Sequence, residues 1–515
     1  MDAQIRDFDC LTSFLGDYGL FQMLVIVLLS LSAVPTSYMP IMMIFLSDTQ
    51  EYHCKASVNS TRNGSWTGPD SCSRYKVTGN RTETAEPCLD GWIFSTETYT
   101  ATIVSEWSLV CDNAWKVPFS TSLFFVGVLI GSFFCGHLSD RFGRKPVFFL
   151  TFVLQAVTAL IQAASISWLM FCVLNCLRGL GQISSYMLSL TIGSEILSKS
   201  ARVNYTLLGH NLGYGIGYAL LPLFAYFIRG WRMLLVASAI PSLLIIPTWW
   251  VIPESPRWLL HKGRLEEAEL IIRNAAKMNK VPAPEVIFRA GECMGLTQNK
   301  VEEQRTYNYL DLIRTTNMRN ITILGVFIWV SIAIIYFGLS LNTSNLNGNP
   351  YLNCFISAAI DIMAYIAIRL LVNHVPRPAL LFCTLTFSGV MLLVIQLIPQ
   401  DMQVLLQVFV LVGKIGVAGA YCFICVFFTE LFPTVVRTMA LGVIFTASSI
   451  GIITCPYIIN IGVHMKTLPF IIFGTISIVV GAVSMLLPDT RNSKLPDVIS
   501  QTRPIRGYVT VLISK

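Results

Sequence analysis

Charge is what this sequence lacks. Asp, Glu, Lys and Arg make up 13% of its 515 residues, where a soluble globular protein carries about 25%. A surface so poor in charge excludes a string of water-soluble domains of this length. Histidine is also scarce, at six residues, and no His, Asp or Ser cluster with catalytic or metal-ligand spacing falls in an apolar segment, so the chain is not read as an enzyme. A cleavable leader is not expected either: Asp2, Asp7, Asp9 and Asp17 stand where a basic n-region belongs, and the apolar run behind them is too long. What is present is hydrophobic sequence, 54% of residues, with a mean hydropathy of +0.62.

That hydrophobic content is divided into twelve runs near the length of a membrane-crossing helix: 20–46, 117–138, 147–164, 168–192, 204–227, 233–252, 321–341, 351–372, 379–398, 404–428, 438–461 and 468–487. Lys and Arg orient them. Arg141, Arg144, Lys145, Lys199 and Arg202 lie in the loops after the second and fourth runs, and Arg257–Arg314 and the tail from Arg491 are also basic. The short loops 342–350 and 399–403 have no Lys or Arg, while Arg229, Arg232 and Lys466 are exceptions. Both termini are therefore expected in the cytoplasm, and the net charge of +7 is a topogenic signature, not a nucleic-acid footprint. The expected layout is a cytoplasmic N-terminus (1–19), a first six-helix unit (20–252), a cytoplasmic helical loop (253–319), a second six-helix unit (320–488) and a cytoplasmic tail (489–515).

The outside loop 47–116 carries glycosylation sequons at Asn59, Asn63 and Asn80, and four cysteines, Cys54, Cys72, Cys88 and Cys111. Three disulfide connectivities are open to them. The cytoplasmic loop is expected to contain an amphipathic helix at 264–280, with Glu269 and Arg273 paired one turn apart, and a second short helix marked by Tyr309, Leu310 and Ile313.

The two units repeat. Glu195 ends the fourth run with Arg202 seven residues on; Glu430 ends the tenth with Arg437 seven residues on, an offset of 235 residues. Glu254 and Asp489, each just beyond a sixth run, share that offset. The chain thus reads as an all-α membrane protein of two parallel six-helix repeats. An acid at a helix C-terminus is unfavourable without a cation nearby. Arg202, Arg437 and the Arg141/Arg144/Lys145 cluster are the cations available. With Asp140, Glu254 and Arg257 they form a candidate gating set, whose pairs form where the cytoplasmic ends of the halves meet.

Ionisable residues inside the runs are the candidate substrate groups. Asp361 stands mid-run in the eighth, where it either binds a cation or pairs with Lys414 or Arg178. Trp329 and Tyr336, two turns apart, offer cation–π surface. Gln182 and Tyr214 add polar groups. The stretch Gly193–Ser200 imitates a phosphate-binding loop, but it lacks the second glycine and a preceding strand.

Several motifs resemble a known family. Gly136-x-x-x-Asp140-Arg141-x-Gly143-Arg144-Lys145 is similar to the signature loop of the major facilitator superfamily. Glu106-Trp107-Ser108-Leu109-Val110-Cys111, Pro253-Glu254-Ser255-Pro256-Arg257-Trp258-Leu259 and Glu430-Leu431-Phe432-Pro433-Thr434-Val435-Val436-Arg437 resemble solute carrier family 22. Within it, Ser122–Leu129, Pro222–Arg229 and Tyr336–Leu341 resemble the organic cation/carnitine transporters. The resemblance implies facilitated or sodium-coupled uptake of organic cations and zwitterions such as carnitine across the plasma membrane; a monomer that needs no cofactor, with sodium the candidate coupling ion, is the expected working unit. It places Trp329, Tyr336 and Asp361 in the central cavity. It also exposes a departure: Ser449 stands in the eleventh run where the family carries Asp or Arg. The alternatives are an organic-anion or sugar porter of the same fold, with Lys414 and Arg178 as anion ligands, and, more remotely, a receptor that transports nothing.

Overall fold

The computed structural model of the chain describes residues 11–55, 72–78, 81–88, 90–284, 287–288, 309–399, 401–433, 436–462, 465, 467–491, 499 and 502–505. Asn59, Asn63 and Asn80 lie outside the described residues. Twelve helices follow the twelve apolar runs: α1 (Leu20–Leu46), α2 (Lys116–Phe142), α3 (Arg144–Ala163), α4 (Trp168–Ile196), α5 (Asn211–Phe227), α6 (Trp231–Ile245), α7 (Thr316–Leu341), α8 (Pro350–Leu371), α9 (Arg377–Val394), α10 (Gln403–Leu431), α11 (Arg437–Ile461) and α12 (Leu468–Ser484). Nine helices among the described residues are long and apolar enough to cross a bilayer, and α12 is a shorter apolar helix. The fourth is long enough, yet Asn175, Arg178, Gln182 and its serines make it the polar member of the set.

Local sequence explains where these helices begin and end. Ser167 caps α4 by accepting from the Met170 N–H, and Asn349 caps α8, with Pro350 at the first helical position. Gly143 ends α2 at φ +109°, a conformation that side-chain-bearing residues rarely adopt, and lets α3 turn back at once. The fifth run does not start as a plain helix. A short helix (Lys199–Asn204) passes into a π-helical turn (Tyr205–His210) before α5, so the expected helix from residue 204 is offset by a bulge. The amphipathic helix of the loop between the two six-helix units is present as Leu265–Asn279, and its Arg273 bonds Glu269 at 2.9 Å.

Backbones approach most closely where side chains vanish. A Cβ on Gly127 of α2 would stand 1.8 Å from the Cys176 carbonyl of α4, and one on Gly179 would stand 2.1 Å from the Phe124 carbonyl. These reciprocal glycines let the two helices pack by backbone contact, the small-residue solution open to helices in lipid. Between the halves, α2 meets α11, where Ser122 donates to the Ile453 carbonyl at 3.0 Å. Likewise α5 meets α8, where Gly215 faces Ile362.

The outer loop is a small disulfide-linked cap. Strand β1 (Tyr52–Cys54) pairs antiparallel with β4 (Trp92–Phe94), and β2 (Ser73–Thr78) with β3 (Arg81–Pro87). The connectivity left open by the sequence is Cys54–Cys88 and Cys72–Cys111. Arg232, an exception to the charge rule, is bonded to the cap's Glu106 at 2.5 Å and to the Ala163 and Ser165 carbonyls.

Candidate functional site

In the second half, Asp361 midway along α8 and Lys414 of α10 are both buried, at 0% and 1% exposure. Lys414 Nζ lies 3.1 Å from Asp361 Oδ1 and 3.2 Å from Oδ2. Only Oδ2 receives directed hydrogen bonds, from Lys414 and from the Tyr336 hydroxyl at 2.9 Å; Oδ1 accepts none among the described residues. Of the two pairings open to Asp361 in the sequence, it takes Lys414 and not Arg178.

Aromatic side chains enclose the pair. Tyr336 of α7 stacks on Tyr421 of α10 with ring centroids 4.4 Å apart, and its hydroxyl meets that of Tyr365 at 3.3 Å. Lys414 Nζ stands 4.8 Å above the ring of Tyr218, a residue of α5 in the opposite half, and 5.6 Å above Tyr336. Ser357 joins the halves here: it accepts from Lys414, and its hydroxyl pairs with that of Tyr218 at 3.0 Å. Trp329 continues the aromatic wall, 6.4 Å from Tyr421 and 4.8 Å from Phe445. Tyr214 of α5 reaches the same region through Tyr186, whose ring is 6.1 Å from its own. A carboxylate with one oxygen held by charge contact alone, among aromatic faces, is chemistry that suits a desolvated organic cation.

The other candidates are distributed differently. Gln182 donates to the Thr36 carbonyl of α1 at 3.1 Å. The Ser449 hydroxyl bonds the Phe445 carbonyl of its own helix at 3.0 Å, so it presents no charge. Arg178 lies among α1, α2 and α4 of the first half. Sequence reasoning missed Tyr218, Ser357, Tyr365 and Tyr421. Helical spacing offered a signal: Ser357 and Tyr365 flank Asp361 at one turn on either side, and Tyr421 is two turns from Lys414.

The candidate gating residues form two matching clusters. In the first half, Arg144 places its guanidinium on both Glu195 oxygens, at 3.3 and 3.4 Å, and also pairs with Asp140. Glu254 accepts from the Arg144 and Lys145 N–H groups at 3.1 Å, capping α3. In the second half, Arg377 holds both Glu430 oxygens at 3.1 and 3.2 Å, and Asp489 caps α9 by accepting from the Arg377 N–H at 3.1 Å. Arg202 donates to the Leu197 carbonyl and Arg437 to the Phe432 carbonyl, each five residues back. Arg257 and Arg141 lie at the same face, the latter over the Phe142 ring. This corrects one expectation. The two Arg–Glu pairs close within halves, because the turn at Gly143 sets Arg144 directly beneath the end of α4. Polar contacts that cross between the halves include Arg369 to Asn204 Oδ1, at 2.8 and 3.1 Å, and Asn211 to the Cys422 sulfur at 3.0 Å. Burial raises the Glu254 pKa, and the backbone N–H groups of Ser255, Lys145 and Arg144 act against that rise.

The outer face is also closed. Tyr351 at the start of α8 stacks on Phe45 of α1 at 5.5 Å, stands 5.9 Å from Tyr99 and 5.7 Å from Tyr226, and donates to the Thr98 carbonyl. Behind it the Tyr99 hydroxyl donates to Asp48 at 2.8 Å, and burial pushes the Asp48 carboxyl up to about 6.

Comparison with known proteins gives this geometry a family. The family described as sugar (and other) transporter matches residues 59–498. Human organic cation/carnitine transporter 2 is 43% identical over 532 aligned positions, covering 98% of this chain and 95% of the relative. Mouse solute carrier family 22 member 4 is 41% identical, covering 98% and 96%. A fruit-fly organic cation transporter protein (Drosophila melanogaster) is 32% identical, covering 96% and 94%. Among solved structures, the inward-open xylose transporter XylE from E. coli superposes with a TM-score of 0.65 at 15% identity, covering 94% of this chain and all of that one. The chain therefore belongs to the sugar (and other) transporter family and, within it, to solute carrier family 22: a multi-pass membrane transporter of the major facilitator fold, and not an enzyme.

Proposed function

We propose that this protein carries organic cations and zwitterions across the plasma membrane by alternating access, with both termini cytoplasmic and the monomer as the working unit. The observation that carries the reading is the buried Asp361, whose Oδ1 has the Lys414 ammonium 3.1 Å away as its counter-charge but accepts no directed hydrogen bond among the described residues, beside tyrosines drawn from both halves. An organic cation would take that oxygen and loosen the hold of Lys414, so that binding exchanges one counter-ion for another. The names of the relatives, organic cation and organic cation/carnitine transporters, support the same substrate class.

The two helix-end clusters suit rocking of rigid halves: Arg144–Glu195–Glu254 and Arg377–Glu430–Asp489 each tie three helices at the cytoplasmic edge of one repeat. We assign opening and closing to the contacts that cross between halves, Tyr351 outside and Arg369–Asn204 inside. The clusters around Asp140, Arg141, Arg144, Glu195, Arg202, Glu254, Arg257, Glu430 and Arg437 keep each half stiff. Sodium is the coupling ion we propose for the zwitterion. Asn59, Asn63 and Asn80 are the proposed glycan acceptors of the outer cap.

The test is uptake by cells expressing the full chain, comparing carnitine, tetraethylammonium and an aromatic carboxylate, with and without sodium. Accumulation of the first two supports the reading. Accumulation of the carboxylate alone overturns it in favour of an organic-anion porter.

A further inference from the structure

Among the described residues, each half carries one buried Lys or Arg, on the helix that ends near its Glu. Lys414 stands 16 residues before Glu430, and Arg178 stands 17 before Glu195. Lys414 has its carboxylate; Arg178 does not. The Arg178 side chain is 0% exposed, yet among the described residues no acid pairs with it. One Nη donates to Asn175 Oδ1 at 2.9 Å, the other reaches only the Met42 sulfur at 3.7 Å, and Nε has no partner. The guanidinium lies 5.6 Å from the Phe124 ring, and its titratable neighbour is the Tyr38 phenol. Asn175 is itself fixed, donating to the Ser120 carbonyl at 2.9 Å, so the geometry of the group is imposed by the fold.

A guanidinium stays protonated at any physiological pH and has five N–H donors in a planar fork. Buried without a counter-charge it is costly, unless a ligand supplies one. Its place on α4 indicates which ligand can reach it. Arg178, Gln182 and Tyr186 follow at one-turn intervals on one face. Tyr186 is the member nearest the opposite half, meeting His210 and Tyr214 and lying close to Tyr421 and Cys422 of α10. Arg178 thus tops the stripe that descends to the aromatic enclosure, on the extracellular side of it.

We propose that Arg178 is the anion anchor of the transport pathway, taking a monovalent anion between Nε and Nη, with the carboxylate of a zwitterionic substrate as that anion. This rests on the cation reading above, in which Asp361 receives the ammonium end. Carboxylate and chloride share the required chemistry, and the experiment separates them.

Uptake of carnitine and of tetraethylammonium, which has no carboxylate, is measured for the wild type, R178Q and R178K, normalised to protein at the cell surface. Loss of a charge-assisted fork reduces carnitine uptake by about tenfold or more in R178Q, with partial recovery in R178K, while tetraethylammonium uptake stays within about twofold, inside the spread of single-site effects. Chloride is then replaced by gluconate. If both substrates need chloride in the wild type and R178Q abolishes that need, the anion at Arg178 is chloride. Equal loss of both substrates, or loss of neither, with chloride dependence unchanged, overturns the proposal. Should R178Q fail to reach the surface, the wild type is challenged with carnitine and its methyl ester as inhibitors, and equal potency overturns it. A wild type that transports no cation at all defeats the cation reading instead, so the two failures are distinguishable.

Discussion

Lys414 and Asp361 meet 3.1 Å apart in the centre of the second half, from helices two positions apart in the fold. Both side chains are buried, and each supplies the other's counter-charge. Removing one member of such a pair leaves an uncompensated charge and costs about 3–5 kcal/mol, whereas removing both is often far cheaper. Asp361→Asn alone is therefore expected to lower the thermal midpoint of the purified transporter and the fraction that reaches the surface. Combining it with Lys414→Gln should restore much of both, but not affinity for tetraethylammonium. A double variant that regains cation affinity would remove Asp361 from the binding site.

The matched clusters at the cytoplasmic edge predict matched phenotypes. Arg377 holds Glu430 as Arg144 holds Glu195, with the same bidentate geometry. Arg144→Gln and Arg377→Gln should each cut the transport rate by about tenfold, the scale of losing a partly buried, charge-assisted contact. The exchange Arg377→Glu with Glu430→Arg should recover part of the loss. No recovery in the exchanged pair would mean that the two residues do not act on each other.

Why Arg377 escaped the sequence is itself instructive. The repeat was legible from the acids because Glu195/Glu430 and Glu254/Asp489 share one register, and helix ends need those charges at fixed depth. Their partner does not share it: Arg144 to Arg377 is an offset of 233 residues, not 235, because the loop at Gly143 is replaced by a differently shaped one at Pro376. The helices were legible for a similar reason, since lipid imposes run length on the chain directly. The enclosure was half legible. Asp361, Lys414, Trp329 and Tyr336 declare themselves as polar or aromatic residues in apolar helices. Tyr218 and Ser357 are ordinary helix residues until the halves are brought face to face, and sequence spacing within one helix carries no information about the other. The π-helical turn at Tyr205–His210 left no signal that a helical period reveals.

Asp48 makes the outer closure sensitive to acid. Its pKa is raised to about 6 in this closed arrangement, first by burial, with the Tyr99 hydrogen bond acting in the opposite direction. In an outward-open state the carboxyl meets water, and its pKa falls back towards that of an ordinary Asp, about 3.9. The closed form therefore binds the proton more tightly, and lowering the external pH from about 7 through 6 towards 4 favours it. Binding of an external cation should weaken over that interval, and Asp48→Asn should flatten the dependence. Unchanged pH dependence in Asp48→Asn would place the titrating group elsewhere.

Tyr351 is the residue on which the extracellular seal converges. It contacts Phe45, Tyr99 and Tyr226 and donates to the Thr98 carbonyl, so one side chain from the second half engages three segments of the first. Aromatic pairs contribute about 0.5–1.5 kcal/mol each beyond the area they bury, and about 1.4 kcal/mol shifts a two-state population tenfold. Tyr351→Ala should thus raise the outward-open fraction by an order of magnitude or more. A native reporter lies one turn further along α8: Cys354 is buried at 0% exposure. A membrane-impermeant maleimide applied from outside should label it slowly in the wild type and at least about tenfold faster in Tyr351→Ala, with Cys354→Ser as the control for labelling elsewhere. Equal labelling rates in the two proteins would mean that the seal is held by other contacts, such as Ser122 with the Ile453 carbonyl between α2 and α11.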